Sequence, residues 1–183
     1  MNSGIKGQSL PETRTQTIIY TDGAAFGNPG PGGYGAVILR GGKRRELSGG
    51  YQLTTNNRME LTAAIEALKV LESPEVVTLY SDSRYLVDSI NKGWVKKWQA
   101  NRWKKADKKK AENIDLWQLL LEQLEKHKVK FVWVAGHAGT PENERCDRLA
   151  VRAASKKNLP EDTGYQNGDQ RSSQPGLLKL FDI

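Results

Sequence analysis

The sequence predicts an α/β fold on a five-stranded mixed sheet, three antiparallel strands and then two parallel ones, flanked by helices. Three observations carry that expectation. β-Branched and aromatic runs come first and are divided by glycine-rich turns. Amphipathic helical stretches then alternate with two further short apolar runs, and no internal repeat is visible.

The first strand is expected over Thr17 to Thr21, the second over Tyr34 to Arg40 and the third over about Lys43 to Tyr51. The loop Gly27 to Gly33 separates the first two. The Gly41-Gly42 pair between the others is a two-residue hairpin signal, so these strands form an antiparallel meander. A helix follows from about Asn57 to Leu71, with Thr54, Thr55, Asn56 and Asn57 available as caps and Leu61, Ile65 and Leu68 as its apolar stripe. Next come a strand at Val76 to Ser81, a helical stretch from Tyr85 that runs into a basic segment, and a helix from about Asp115 to Lys126. A strand at Val129 to Val134 and a helix from Glu142 to Lys156, introduced by Pro141, complete the series. Helices placed between the later strands imply right-handed crossovers, which add parallel strands to the meander.

With 183 residues and 37% hydrophobic content, the chain is expected to form one domain with a full core, over residues 16–157. Residues 1–15 are polar and irregular, a flexible arm. Residues 158–183 read as a flexible tail: NLPEDTGYQNGDQRSSQPG is too poor in apolar side chains to fold alone, yet the chain ends in the apolar cluster GLLKLFDI. That cluster docks either on its own domain or on another protein. The net charge of +7 points to a polyanionic partner, nucleic acid or an anionic membrane surface. No apolar run reaches transmembrane length and the first residues lack the apolar core of a signal peptide, so a cytoplasmic protein without a membrane partner is expected. The lone Cys146 excludes an internal disulfide and fits a reducing compartment. A monomer is the default expectation.

Four acids stand in distinctive settings: Asp22 in IIYTDGA, Glu60 in TTNNRMELTAA, Asp82 in VVTLYSDSRY and Asp147 in GHAGTPENERCDRLA. Singly, each has an ordinary reading as a strand-end or helix-dipole acid. Asp22 and Asp82 follow strand-like runs, where an α/β sheet delivers side chains to a ligand crevice. Four carboxylates gathered in one place repel one another, so such a cluster would require divalent cations. A Cys146–His137 thiol nucleophile is disfavoured, because the adjacent Asp147 raises the thiol's pKa. His127, among lysines at a helix C-terminus, reads as structural, a cation complementing the dipole.

YTDGA followed by GNPGPGG, then TNNRMEL, YSDSRY, DLWQLL and GHAGTPENERCDRLA, in that order over residues 18–154, resembles bacterial type 1 ribonuclease H. The resemblance implies a ribonuclease H-like fold and an endonuclease that hydrolyses the RNA strand of RNA/DNA hybrids, leaving 5′-phosphate and 3′-hydroxyl ends. Asp22, Glu60, Asp82 and Asp147 would be its metal ligands, for two Mg²⁺ ions during catalysis, with Mn²⁺ as a substitute. Two metals about 4 Å apart supply an activated water and a stabilised leaving oxygen. By the resemblance Asp22 bridges them, Glu60 and Asp82 serve the leaving side, and Asp147 serves the attacking water. His137 falls on the family's histidine, a catalytic residue that shuttles a proton or assists product release.

Substrate contacts divide by strand. A hybrid is distinguished by its 2′-hydroxyls and minor groove, and the tight turn Gly27-Asn28-Pro29-Gly30 with Asn28, Asn56 and Asn57 offers hydrogen-bonding groups for that edge. Arg84 stands where a glutamine contacts RNA in a related enzyme. For the DNA strand, Thr55 and Asn113 match the family's phosphate pocket. The segment KGWVKKWQANRWKKADKKK, residues 92–110, resembles the family's basic protrusion; Trp94 and Trp98, one helical turn apart, offer rings while Lys96 and Lys97 neutralise phosphates. Leu178 to Phe181 resembles peptides that bind the bacterial sliding clamp, with Gln174 out of register, which would make the tail a replication-protein contact. Two other readings stay open at this level: a non-catalytic hybrid-binding module, and a different nuclease or transposase with the same sheet.

Overall fold

The structure, a computed structural model, describes residues 16–168. The expected arm at residues 1–15 and the apolar cluster GLLKLFDI lie outside that range. The elements in chain order are β1 (Thr17–Ala25), β2 (Gly30–Arg40), β3 (Lys43–Thr54), α1 (Asn56–Lys69), β4 (Val76–Ser81), α2 (Arg84–Asn91), α3 (Trp94–Ala100), α4 (Ile114–Lys126), β5 (Lys128–Trp133), α5 (Pro141–Ala154) and α6 (Thr163–Gly168). The strands form one sheet in the order β3-β2-β1-β4-β5. β1 pairs antiparallel with β2 and parallel with β4; β2–β3 is antiparallel and β4–β5 parallel. This is the mixed five-stranded arrangement that the sequence predicts.

The main core lies between the sheet and α1, α2 and α4, where Ile19, Leu61, Ile65, Leu68, Leu79, Leu86, Trp117 and Leu120 are fully or almost fully buried. α5 covers the opposite face through small residues. A Cβ at Gly33 would lie 2.3 Å from the Ala150 carbonyl oxygen, and one at Gly35 2.2 Å from that of Cys146. Gly23 pairs with Tyr34, between those two, so by strand alternation it faces the other way; there a Cβ would lie 2.3 Å from the Glu60 amide nitrogen. Glycine is needed at these positions for close approach of helix to sheet rather than for turning.

These contacts explain where the strands outrun their expected ends. β1 continues to Ala25 and β2 begins at Gly30, because Gly32 and Gly33 pair with Ala25 and Ala24 instead of looping. Asp22 therefore sits within β1, opposite Gly35, not beyond its end. The helical stretch after Tyr85 breaks at Gly93, whose φ of 68° is left-handed, and restarts as α3. His127 corrects its expected role: it is buried at the end of α4, and burial lowers its pKa, which favours the neutral ring over a dipole-complementing cation.

The tail expectation is also corrected at its start. Residues 158–165 lie on the domain: the Gln52 amide donates to the Pro160 carbonyl at 2.9 Å, and Asp162 is buried against Arg58. Low apolar content did not prevent docking, because a buried charge-assisted network holds this segment. Among the described residues, no helix is long and apolar enough to cross a membrane.

Candidate active site

Asp22, Glu60 and Asp82 come together from three elements. Asp22 is in the central strand, and its Oδ1 accepts the Gly23 amide at 2.8 Å. Glu60 is in the second turn of α1, which Thr55 caps by accepting the Arg58 amide at 3.4 Å. Asp82 follows β4 directly, ahead of Ser83, the N-cap of α2. One carboxylate oxygen from each of the three lies within 4.8 Å of the others. Asp22 and Glu60 are 7% and 3% exposed, so water screens their repulsion poorly.

The electrostatics record that crowding. Burial, then repulsion from Asp82 and Asp147, raises the Asp22 pKa to about 7. Burial first, and Asp22 and Asp82 next, lift Glu60 well above the ordinary carboxylate range. The Glu60 Oε2 is buried without a hydrogen-bond partner. An orphaned acceptor beside two carboxylates, all hard oxygen donors, is the environment that a divalent cation of the Mg²⁺ class fits.

Asp147 does not complete a tight foursome. It is half-buried on α5, near enough to raise the Asp22 pKa, but it is not one of the three whose oxygens share the 4.8 Å cluster. His137 is exposed in the loop between β5 and α5, with a φ of 53°. Cys146 is buried with its thiol directed to the Tyr20 carbonyl at 3.2 Å, and burial followed by repulsion from Asp22 raises its pKa far above neutrality. It is no nucleophile.

The other expected contacts fall into groups. The Asn56 amide donates to Asn28 Oδ1 at 3.1 Å, which joins the turn at Asn28 to the start of α1, where Asn57 also lies. Arg84 lies flat on the exposed Trp133, its guanidinium carbon 3.5 Å from the ring centroid. Asn113 is buried in a left-handed conformation, donating to the Tyr85 hydroxyl at 3.2 Å and accepting from Arg58 at 3.5 Å. Thr55 and Asn113 thus both meet Arg58.

In the basic segment Trp94 is exposed, with the Lys92 ammonium 5.0 Å from its ring centroid, and Lys96 and Lys97 are exposed beside it. Trp98 is half-buried and packs on the core, edge-on to Trp117 at 6.2 Å between centroids, as Trp103 also packs on the core. The tryptophans beyond Trp94 serve as apolar anchors for a cationic surface. Lys105 pairs with Glu112 at 3.1 Å and is not a free cation.

Sequence reasoning missed a buried ion network. Arg58 Nη2 lies 2.7 Å from Asp115 Oδ2, and its Nε 2.7 Å from Asp162 Oδ2, which also accepts the Thr54 hydroxyl at 2.7 Å. Arg58 was visible inside TNNRMEL, but partners 57 and 104 residues away leave no periodic trace. Asn143, Gly136 and Trp133, which surround Asp82, were missed for the same reason.

The family described as RNase H matches residues 14–155. Among curated relatives, a ribonuclease H of Trichodesmium erythraeum is 60% identical over 157 residues, covering 86% of this chain and 100% of that protein. A ribonuclease HI of Synechocystis is 56% identical over 157 residues, covering 85% and 98%. Among solved structures, a type 1 RNase H with the type 2 active-site motif superposes with a TM-score of 0.69 at 30% identity, covering 91% of this chain and 84% of that one. LC11-RNase H1, solved in complex with RNA/DNA hybrid, gives 0.58 at 28% identity, covering 75% and 96%. On a family match across most of its length, near-complete coverage of those relatives and a shared sheet, the chain belongs to the ribonuclease H family of nucleases.

Proposed function

We propose that this protein is an endonuclease hydrolysing the RNA strand of RNA/DNA hybrids, with two divalent ions, Mg²⁺ in the first place and Mn²⁺ as a substitute. The observation that carries the reading is the group of three carboxylates from β1, the end of β4 and the start of α1, in a chain of this family. Asp22, Glu60 and Asp82 would hold the ions, with Asp147 contributing from α5. When bound, such ions supply an activated water and neutralise charge developing on phosphorus and on the leaving oxygen.

The chain's own residues do the rest. Crowding and burial favour protonated carboxyls in the metal-free site, and Asp22, with its pKa near 7, would release its proton when a cation binds. His137, exposed on its loop, would move a proton during turnover. The joined Asn28, Asn56 and Asn57 supply donors and acceptors for the RNA minor-groove edge, and Arg84 on Trp133 presents a flat cation beside Asp82. Thr55 and Asn113 would take a DNA phosphate, while Trp94, Lys96 and Lys97 hold the duplex by charge and stacking. Trp98 assists from beneath by anchoring α3.

Labelled hybrid, single-stranded RNA, double-stranded RNA and DNA, digested with and without EDTA, test the proposal. Cleavage is expected only of the RNA in the hybrid, only without chelator, with 5′-phosphate and 3′-hydroxyl ends. Tight hybrid binding without cleavage in Mg²⁺ or Mn²⁺ would make the protein a binding module instead.

Two further results are expected. Replacing Lys96, Lys97 and Lys104 with Glu raises KM for the hybrid several-fold at low salt, flattens its salt dependence and leaves kcat close to the parent's. Lys105 is left intact because its loss would break the pair with Glu112. Steady-state kinetics across a salt series check this, and an unchanged slope removes the segment from the substrate path. His137→Ala lowers kcat by roughly 10²- to 10³-fold without abolishing it; equal turnover numbers would dismiss the histidine.

A further inference from the structure

Asn143 is in the first turn of α5 and only 2% exposed. Its Nδ2 donates to Asp82 Oδ2 at 3.3 Å, while its Oδ1 is buried with no hydrogen-bond partner. An orphaned amide oxygen costs about 1–3 kcal/mol, so for packing alone an apolar side chain of the same volume would serve better. The amide makes sense for what its nitrogen does.

Two more restraints meet at the same aspartate. A Cβ on Gly136, in the loop after β5, would lie 2.6 Å from Asp82 Oδ2. The φ of Gly136 is outside the left-handed region, so its backbone is open to alanine and the space beside Asp82 is what calls for glycine. The Trp133 indole donates to the Asp82 carbonyl at 3.0 Å. Thus the end of β5 holds the Asp82 backbone, while the following loop and the first turn of α5 confine its carboxylate. Asn143 also precedes Asp147 by one helical turn, so the same hydrogen bond sets the register of α5 against the carboxylate cluster.

We infer that Asn143 and Gly136 are positioning residues that hold the Asp82 carboxylate in the orientation needed to bind a divalent cation. The inference rests on the proposed metal site. A neutral donor is suited to this role because it orients the carboxylate without competing with the cation as a lysine would, and partners of this kind set metal affinity by roughly 10- to 100-fold.

The test uses the full chain and Mn²⁺ binding, followed by loss of the free-ion electron paramagnetic resonance signal, beside Tm in EDTA. Asn143→Leu keeps the volume and removes the donor: Mn²⁺ affinity is expected to fall by roughly 10- to 100-fold while Tm in EDTA holds or rises. Gly136→Ala, on a different element, is expected to weaken Mn²⁺ binding similarly by displacing Asp82 Oδ2. In hydrolysis both variants recover toward parental kcat as Mg²⁺ is raised, with the hybrid KM unchanged. Parental Mn²⁺ affinity in folded Asn143→Leu and Gly136→Ala overturns the inference. Asp82→Asn separates the two layers: if it weakens binding while the other variants do not, only the positioning role falls. If the parent binds no Mn²⁺, the metal site and the positioning role fall together.

Discussion

Asp22→Asn abolishes hybrid hydrolysis, lowering kcat by at least about 10³-fold, and in the same molecule raises the stability of the metal-free protein above pH 7. The substitution keeps Oδ1 as acceptor for the Gly23 amide, so local structure has no reason to fail. What disappears is the charge that burial, Asp82 and Asp147 make costly. Folded Asp22 holds its proton up to about pH 7, whereas the unfolded carboxyl loses it near pH 4. Between those values the folded state binds more protons, so stability falls as pH rises. The contribution is complete at acid pH and lost as pH passes through about 7. Glu60, raised for the same reason, adds to the trend. In EDTA the parent Tm is expected to drop by roughly 5–10 °C more than that of Asp22→Asn between pH 5 and pH 8.5, and Mg²⁺ should restore it. Parallel melting profiles in chelator, or an active Asp22→Asn enzyme, would remove Asp22 from the centre of the site. Hybrid binding, measured in EDTA, should largely survive.

Breaking the Arg58 network is the largest stability effect expected. Arg58→Ala leaves Asp162, with a side chain 7% exposed, buried without its counter-charge; Asp162→Ala leaves the 3%-exposed guanidinium with only the more exposed Asp115. Removing one partner of a buried pair costs about 3–5 kcal/mol, which lowers Tm by roughly 10 °C in a domain of this size. Burial alone would raise the Asp162 pKa, but hydrogen bonds from Arg58 and Thr54 outweigh it and hold the pKa low. That stabilisation is present above the unfolded carboxylate pKa and is lost as pH falls through the lower folded value. Since the Arg58 guanidinium donates to Asn113, KM for the hybrid should rise as well. A chain ended at Lys157 should melt as early as Asp162→Ala. A Tm equal to that of the full protein would mean that residues 158–168 contribute nothing to the fold.

The legible parts of the molecule are those written locally. VVTLYS delimits β4 to the residue, and the Gly41-Gly42 hairpin and the cap of α1 follow from their turn and capping chemistry. Glycines 32 and 33 mislead because a glycine run reads as a loop, whereas here absent side chains let the strand pair and admit α5. The packing of Trp98 on Trp117 was not legible, because helical spacing says which residues share a face but not how far that face meets solvent. Asp162 misleads because composition counts apolar side chains, and this segment is held by charge.

By itself the sequence determined the order of strands and helices, the basic character of the segment after α2 and the identity of the acids, since each follows from neighbours within a few positions. Only the tertiary structure decided which acids meet. Gly23 lets α1 slide close enough to set Glu60 beside Asp22, Gly35 lets α5 press on the sheet, and Asp147 stays at the margin of the cluster. Those distances depend on contacts between residues far apart in the chain, where a missing methyl group at one position sets the separation of carboxylates at others, and no local pattern encodes that.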